Sequence, residues 1–142
     1  RFEDELSEVS RREKVSLLPY SPLAGGVLSG KYNGEQLPEG ARFTQYMTST
    51  APRQRAMAER FVNERCLAST ARFIAIAEEA GLHPVTMAIA WSKQHDFVAS
   101  TIAGATNENQ LDVIFDAAGL ILEREILDRI DEVSREIPYP MG

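Results

Sequence analysis

Leu18-Pro19-Tyr20-Ser21-Pro22-Leu23-Ala24-Gly25-Gly26-Val27-Leu28-Ser29-Gly30-Lys31-Tyr32 is the stretch on which the fold turns. The apolar run that leads into it, Val15 to Tyr20, is short and carries a Pro near its end, where ladder pairing can stop, so it reads as a buried strand. The glycines that follow stand just past the C-terminal end of that strand, where α/β folds place their ligands. Closely spaced glycines let backbone N–H groups approach a phosphate, and Lys31 sets a compact positive charge beside them. Tyr20 offers an aromatic face to a planar ring. The plain alternative is a glycine-rich surface turn with one solvated lysine, because short glycine-rich loops are weak motifs on their own.

Working outward, residues 3–13 are charged, with Leu6 and Val9 three apart, and read as a short helix. A loop rich in Pro, Gly, Thr and Ser runs from Asn33 to about Pro52, and a loop of that length inside a compact domain is functional or disordered. From Arg53 to Ala80 the pattern is helical, with Leu67, Ala71, Ile74 and Ala77 on one face and Gly81 where a C-terminal cap belongs. Pro84 opens a further helix with Met87, Ala88 and Trp91 as its apolar face. Residues 97–103 form the second buried strand.

After that strand, Gly104 starts a turn, and Asn107 is placed to cap a helix over 108–118. A strand passing through small residues into a helix presents N–H groups and a positive dipole end to an anion, with Thr106 and Gln110 as polar partners on the same side. Taken alone, a simple strand-to-helix connection explains this segment as well. The last amphipathic helix carries Leu122, Ile126, Leu127, Ile130, Val133 and Ile137 and stops at Pro138.

Strands alternating with helices predict an α/β protein with a parallel sheet, but two strands cannot close a barrel or bury these helices. The chain of 142 residues therefore reads as part of a fold. Its net charge of −6 argues against nucleic acid or an anionic membrane surface as partner. No apolar run reaches the ~18 residues of a membrane span, and residues 1–20 are charged rather than signal-like. The single cysteine, Cys66, rules out an internal disulfide and a cysteine metal site, and fits a reducing cytoplasm.

Other chemistry-bearing residues are weaker candidates. His83, before a helix-opening Pro, and His95, near a helix end, read as surface residues, and neither has a carboxylate at metal-like spacing. Cys66 and Trp91 read as packing groups. Ser21 lacks the Gly-x-Ser-x-Gly elbow of a nucleophile and has no His placed to activate it.

The Leu18–Tyr32 stretch closely resembles the seventh-strand cofactor loop of the aldo/keto reductase family. Arg1-Phe2-Glu3, Met87-Ala88-Ile89-Ala90-Trp91, Ile102-Ala103-Gly104-Ala105-Thr106 through Gln110-Leu111, and Tyr139-Pro140 recur there in the same order. The resemblance spans essentially the whole chain and looks closest to the subgroup of Tas-like reductases and potassium-channel β-subunits.

It implies a (β/α)8 TIM barrel binding NADPH in an extended pose across the C-terminal ends of its strands. On that resemblance Tyr20 would stack on the nicotinamide. Ser21, Pro22, Leu23, Ala24 and Gly25 would line the pyrophosphate, with Lys31 and Arg42 closing over it. Gly104, Thr106 and Gln110 would lie near the adenosine and its 2′-phosphate. One departure is Val113-Ile114, where the family commonly has Glu-Asn gripping the adenine. The other is that the family's catalytic Asp, Tyr, Lys and His lie on earlier strands and have no counterpart here. A barrel takes ~250 residues, so residues 1–142 are expected to be its C-terminal, cofactor-binding portion, without catalytic or metal-binding residues.

Three functions follow from this reading. The first is part of an NADPH-dependent reductase of small aldehydes or ketones, silent by itself. The second is a non-catalytic NADP(H)-binding regulatory module, and the third a fragment that self-associates through exposed strand edges.

Overall fold

The computed structural model describes residues 2–141; Arg1 of the opening motif and Gly142 of the C-terminal segment lie outside them. A π-helical turn, Phe2–Leu6, leads into α1 (Ser7–Glu13). The glycine-rich loop coils into a 3-10 segment, Ala24–Ser29, and then follow α2 (Arg42–Met47), α3 (Pro52–Phe61), α4 (Glu64–Glu79) and α5 (Pro84–Lys93). A 3-10 turn, Glu108–Gln110, runs into α6 (Leu111–Phe115), and α7 (Arg124–Glu136) closes the order.

The two segments expected to be strands lie side by side and parallel, with bridges pairing Leu17 with Val98 and Tyr20 with Ile102. Leu17 N–H donates to the Phe97 carbonyl at 2.8 Å, Ala99 N–H to Leu17 at 3.0 Å and Ile102 N–H to Pro19 at 2.8 Å. No continuous strand forms among the described residues, which corrects the expectation of two strands. Pro19 has no N–H to extend the ladder, and neither segment has a second neighbour to hold it flat. Side chains that a larger sheet would cover stand in solvent: Val15, Leu18, Tyr20 and Ile102 are all more than half exposed.

The main core lies between the helices. Phe73, Ile76 and Ala77 of α4 pack on Val85 and Met87–Ala90 of α5, and Ala117, Leu122, Ile130 and Val133 complete it. Each large apolar side chain buried here contributes about 1.5–3 kcal/mol. Pro84 opens α5, and Gly81 ends the preceding turn at φ +67°. Trp91 packs on this core while staying half-buried.

The helix expected over 53–80 is two helices, broken at Val62-Asn63. The Asn63 side chain accepts from the Cys66 N–H at 3.0 Å, capping α4, while its amide donates to the Arg60 carbonyl at 2.9 Å and closes α3. Cys66 is buried at this junction, and burial pushes its thiol pKa up. The long loop also contains α2, which builds a second core of Val27, Tyr32, Phe43 and Ala58.

His83 is exposed and its Nδ1 accepts from the Val85 N–H at 3.2 Å, capping α5. His95, expected at the surface, is half-buried: it stacks on Phe97, meets the edge of Trp91, and its Nε2 lies 3.9 Å from a Glu3 carboxylate oxygen. Among the described residues no single helix is long and apolar enough to cross a membrane.

Candidate functional site

The glycine-rich loop folds back on itself because four residues adopt backbone angles that chain reversal needs. Ser21 (φ +59°), Ala24 (+49°), Gly25 (+68°) and Gly26 (+97°) all lie in the left-handed region. A side chain at two of these positions would meet close neighbours, a buried ring at Gly25 and the movable end of Lys31 at Gly26. A Cβ at Gly25 would stand 2.6 Å from Cζ of Phe43, and one at Gly26 would stand 2.9 Å from Cε of Lys31. Glycine at 26 thus lets the lysine stem lie along the loop, and glycine at 25 lets the Phe43 ring seat beneath it.

Phe43 in turn sets the position of Arg42. It is fully buried against Tyr32, Tyr46 and Phe61, and its N–H donates to the buried Tyr32 hydroxyl at 3.2 Å. That bond satisfies one of the orphan donors of the α2 first turn, of which Arg42 is the first residue. Lys31 lies across the Tyr32 ring, its Nζ 5.2 Å from the centroid. Lys31 and Arg42 therefore converge on one side of the loop. Burial, and then the Arg42 charge, hold the Lys31 ammonium below the ordinary lysine pKa. No carboxylate pairs with either cation among the described residues, and both line the same cleft.

That cleft has a volume of about 570 Å³. Of the residues singled out from sequence, Tyr20, Ser21, Pro22, Leu23, Gly25, Lys31, Arg42, Gly104, Thr106 and Gln110 line it together. Ala24 does not; it packs against the second core instead. Gly26, Ser29, Gly40, Ala41, Val85 and Val113-Ile114 also line the cleft. Gly26 stood in the quoted stretch, whereas Val85 lies in the first turn of α5 far along the chain and gave no local signal. Tyr20 projects at the mouth, 81 % exposed.

Two expectations about how the cleft would hold an anion change. The loop N–H groups are engaged internally: Ala24 N–H donates to the Ser21 carbonyl, Gly25 N–H to the Ser21 hydroxyl oxygen at 3.1 Å, and Gly26 N–H to the Leu23 carbonyl. Positive charge is thus supplied by the two side chains, with the Ser21 hydroxyl proton as a further donor. At the other segment the helix expected over 108–118 is a 3-10 turn followed by the five-residue α6, and Asn107 makes no side-chain cap. Gln110 reaches back instead, its Oε1 accepting from the N–H and the hydroxyl of Thr106 at 3.0 and 3.2 Å. The dipole of so short a helix is small, and the Thr106 N–H is already taken.

A dinucleotide fits this donor set at its charged middle. Two converging cations and a hydroxyl suit a pyrophosphate, and the glycine pair removes side chains that would fill the cradle. The described residues include no group of three His, Cys, Asp or Glu that could hold a metal.

Comparison with known proteins gives the lineage. The model of the aldo/keto reductase family matches residues 1–135. Protein tas of Escherichia coli (strain K12) is 37% identical over 139 residues, covering 98% of this chain and 38% of that protein. A probable voltage-gated potassium channel subunit beta of Arabidopsis thaliana is 31% identical over 140 residues, with 97% and 41% covered. A putative subunit of the same description in Schizosaccharomyces pombe is 32% identical over 139 residues, with 96% and 39% covered. The chain spans about two-fifths of the length of these relatives. Matched along nearly all its residues and at these identities, the chain belongs to the aldo/keto reductase family.

Proposed function

We propose that residues 1–142 are the C-terminal, cofactor-binding portion of an NADPH-dependent aldo/keto reductase, a (β/α)8 TIM barrel that reduces a small aldehyde or ketone. The observation that carries this reading is that Lys31 and Arg42 line one cleft together with Gly25-Gly26. No carboxylate is among the residues lining that cleft, which supports an anion as the counterpart of the two cations. Members of the family generally use NAD(P)H, whose pyrophosphate has the matching charge.

A bound reduced nicotinamide would supply the hydride for the carbonyl carbon. The residues of this chain would bind and orient. Tyr20 would stack on the nicotinamide, and Ser21, Lys31 and Arg42 would hold the pyrophosphate over the loop of Pro22, Leu23, Ala24 and Gly25. Gly104, Thr106 and Gln110 would lie along the adenosine and its 2′-phosphate. The proton donor would come from earlier strands of the parent protein, so the segment alone would be silent in turnover. A cytoplasmic setting suits an acidic chain with one buried thiol.

The relatives named as potassium channel subunits support a second reading, a non-catalytic NADP(H)-binding regulatory module. The exposed Val15, Leu18 and Ile102 support a third, self-association through the uncovered strand face. Titration of NADPH into the purified chain, followed by nicotinamide fluorescence, tests the shared core of the first two. Saturable binding, weakened about tenfold or more in Lys31→Ala, is expected from loss of a charge-assisted contact. Absence of saturable binding here would mean that the site needs the rest of the barrel, and absence in the full-length parent protein as well overturns the cofactor reading.

A further inference from the structure

We propose that Lys31 is a site of reversible covalent modification, its amine condensing with aldehydes that carry a phosphate, which Arg42 holds. This inference goes beyond the cofactor reading: it needs the cleft and its two cations, not a bound dinucleotide.

The chain has three lysines, and their surroundings differ. Lys14 is exposed at the end of α1 and lines no cleft. The Lys93 ammonium is committed to the Leu120 carbonyl, to which it donates at 2.8 Å. Lys31 lines the cleft of about 570 Å³, and among the described residues its ammonium has neither a carboxylate nor a carbonyl partner. Its side chain is held in place all the same. A Cβ at position 26 would stand 3.0 Å from Nζ, so the glycine there makes room for the amine, and Nζ lies 5.2 Å from the Tyr32 ring centroid. The residue is exposed enough for a reagent to reach it.

Partial burial is the first cause that lowers the Lys31 pKa, and the Arg42 charge is the second, so more of this amine is neutral at a given pH than of an ordinary lysine. A phosphate held by Arg42 offsets only the second cause. The burial remains, and deepens as a ligand fills the cleft. The planar Arg42 guanidinium suits a phosphate, and an aldehyde anchored there is concentrated at the amine.

Among the described residues no histidine or carboxylate lines the cleft, so neither kind of base is present to assist acyl transfer to the amine. Condensation with an aldehyde needs no such group. The Nζ lone pair forms a bond to the aldehyde carbon, and the carbonyl oxygen leaves as water with the two amine hydrogens, which gives an imine. No oxidant or reductant is consumed, and water reverses the step. While it lasts, the adduct ties up Lys31 and fills the cleft against any other anion.

Pyridoxal 5′-phosphate is the probe. Borohydride reduces the imine to a stable secondary amine, and peptide mass mapping of the purified protein then compares the label at each lysine. Lys31 should be labelled about tenfold or more over Lys14, the concentrating effect of one charge-assisted contact. That ratio should fall severalfold with pyridoxal, which lacks the phosphate, and likewise in Arg42→Gln. A ratio close to unity, or the same ratio with both reagents, overturns the proposal and leaves the cofactor reading intact. Should Arg42→Gln prevent folding, the comparison of the two reagents on the unaltered protein decides. Saturating NADPH should protect Lys31; labelling that keeps its phosphate-dependent preference in the presence of NADPH supports this site and counts against the cofactor reading.

Discussion

The Tyr32 hydroxyl accepts the Phe43 N–H at 3.2 Å inside the second core, so a side chain at the end of the glycine-rich loop caps the helix that carries Arg42. Tyr32→Phe would keep the ring and leave a buried N–H without a partner. The expected cost is about 1–3 kcal/mol of folding stability. It would be read as a lower urea midpoint at unchanged slope. NADPH affinity should fall severalfold as Arg42 loses its fixed position. An unchanged midpoint would mean that water replaces the hydroxyl.

The glycines at 25 and 81 share a backbone conformation and differ in surroundings, at φ +68° and +67°. Gly81→Ala meets nothing within 4 Å, so it carries only the left-handed penalty of ~1–2 kcal/mol. Gly25→Ala adds a collision with the Phe43 ring at 2.6 and 2.7 Å, an overpacking cost of ~1–3 kcal/mol more. Thermal unfolding of the two variants should rank them in that order, and only Gly25→Ala should impair NADPH binding. Equal losses would show that the ring moves aside freely.

Particular residues show what the sequence could and could not reveal. Gly81, Pro84 and the α7 stripe act through neighbours three or four residues away, so their roles were legible locally. Residues 15–20 and 97–103 were legible as short apolar runs, but their lying side by side was not, since pattern alone names no partner. The break at Asn63 was hidden within an unbroken helical pattern, as a capping side chain looks like any surface Asn until its partner is known. The Phe43–Gly25 contact was illegible for a different reason: it joins a loop to a helix by shape alone. Thr106 and Gln110 were picked out as polar partners for a ligand, yet at a spacing of four they satisfy each other first.

Lys31 gives a pH dependence whose sign is fixed by its surroundings. Burial and the Arg42 charge lower its pKa in the folded chain relative to the unfolded one. Between the lowered value and the ordinary lysine value of ~10.4 the unfolded chain binds more protons, so this group opposes folding in full at neutral pH and the penalty is relieved as pH rises through that window. An anion bound between the cations reverses the shift. NADPH affinity should therefore hold steady from neutral pH and then decline before the ordinary lysine range is reached. Lys31→Arg, which stays charged, should flatten that decline. A parallel decline in both chains would assign the titration to another group.

Gln94 offers the last test, away from the cleft. Its amide donates to the Leu122 carbonyl at 2.9 Å and accepts from the Leu122 N–H at 2.8 Å, pairing the end of α5 with the segment that enters α7. Leu122 is buried, so both backbone groups depend on this one side chain. Gln94→Glu preserves the shape and the accepting oxygen but sets a carboxylate against the Leu122 carbonyl. At pH 7 the variant should be about 1–3 kcal/mol less stable. Protonation restores a donor, so the folded pKa of the new carboxyl must lie above its unfolded value of ~4.3. The stability deficit should then shrink as pH falls through that raised value, opposite to the loss that an ion-paired carboxylate would bring. Urea denaturation at pH 7 and pH 5 for both chains measures it directly, and a deficit that grows on acidification would mean that the glutamate has found a cation, such as the neighbouring Lys93, now committed to the Leu120 carbonyl at 2.8 Å.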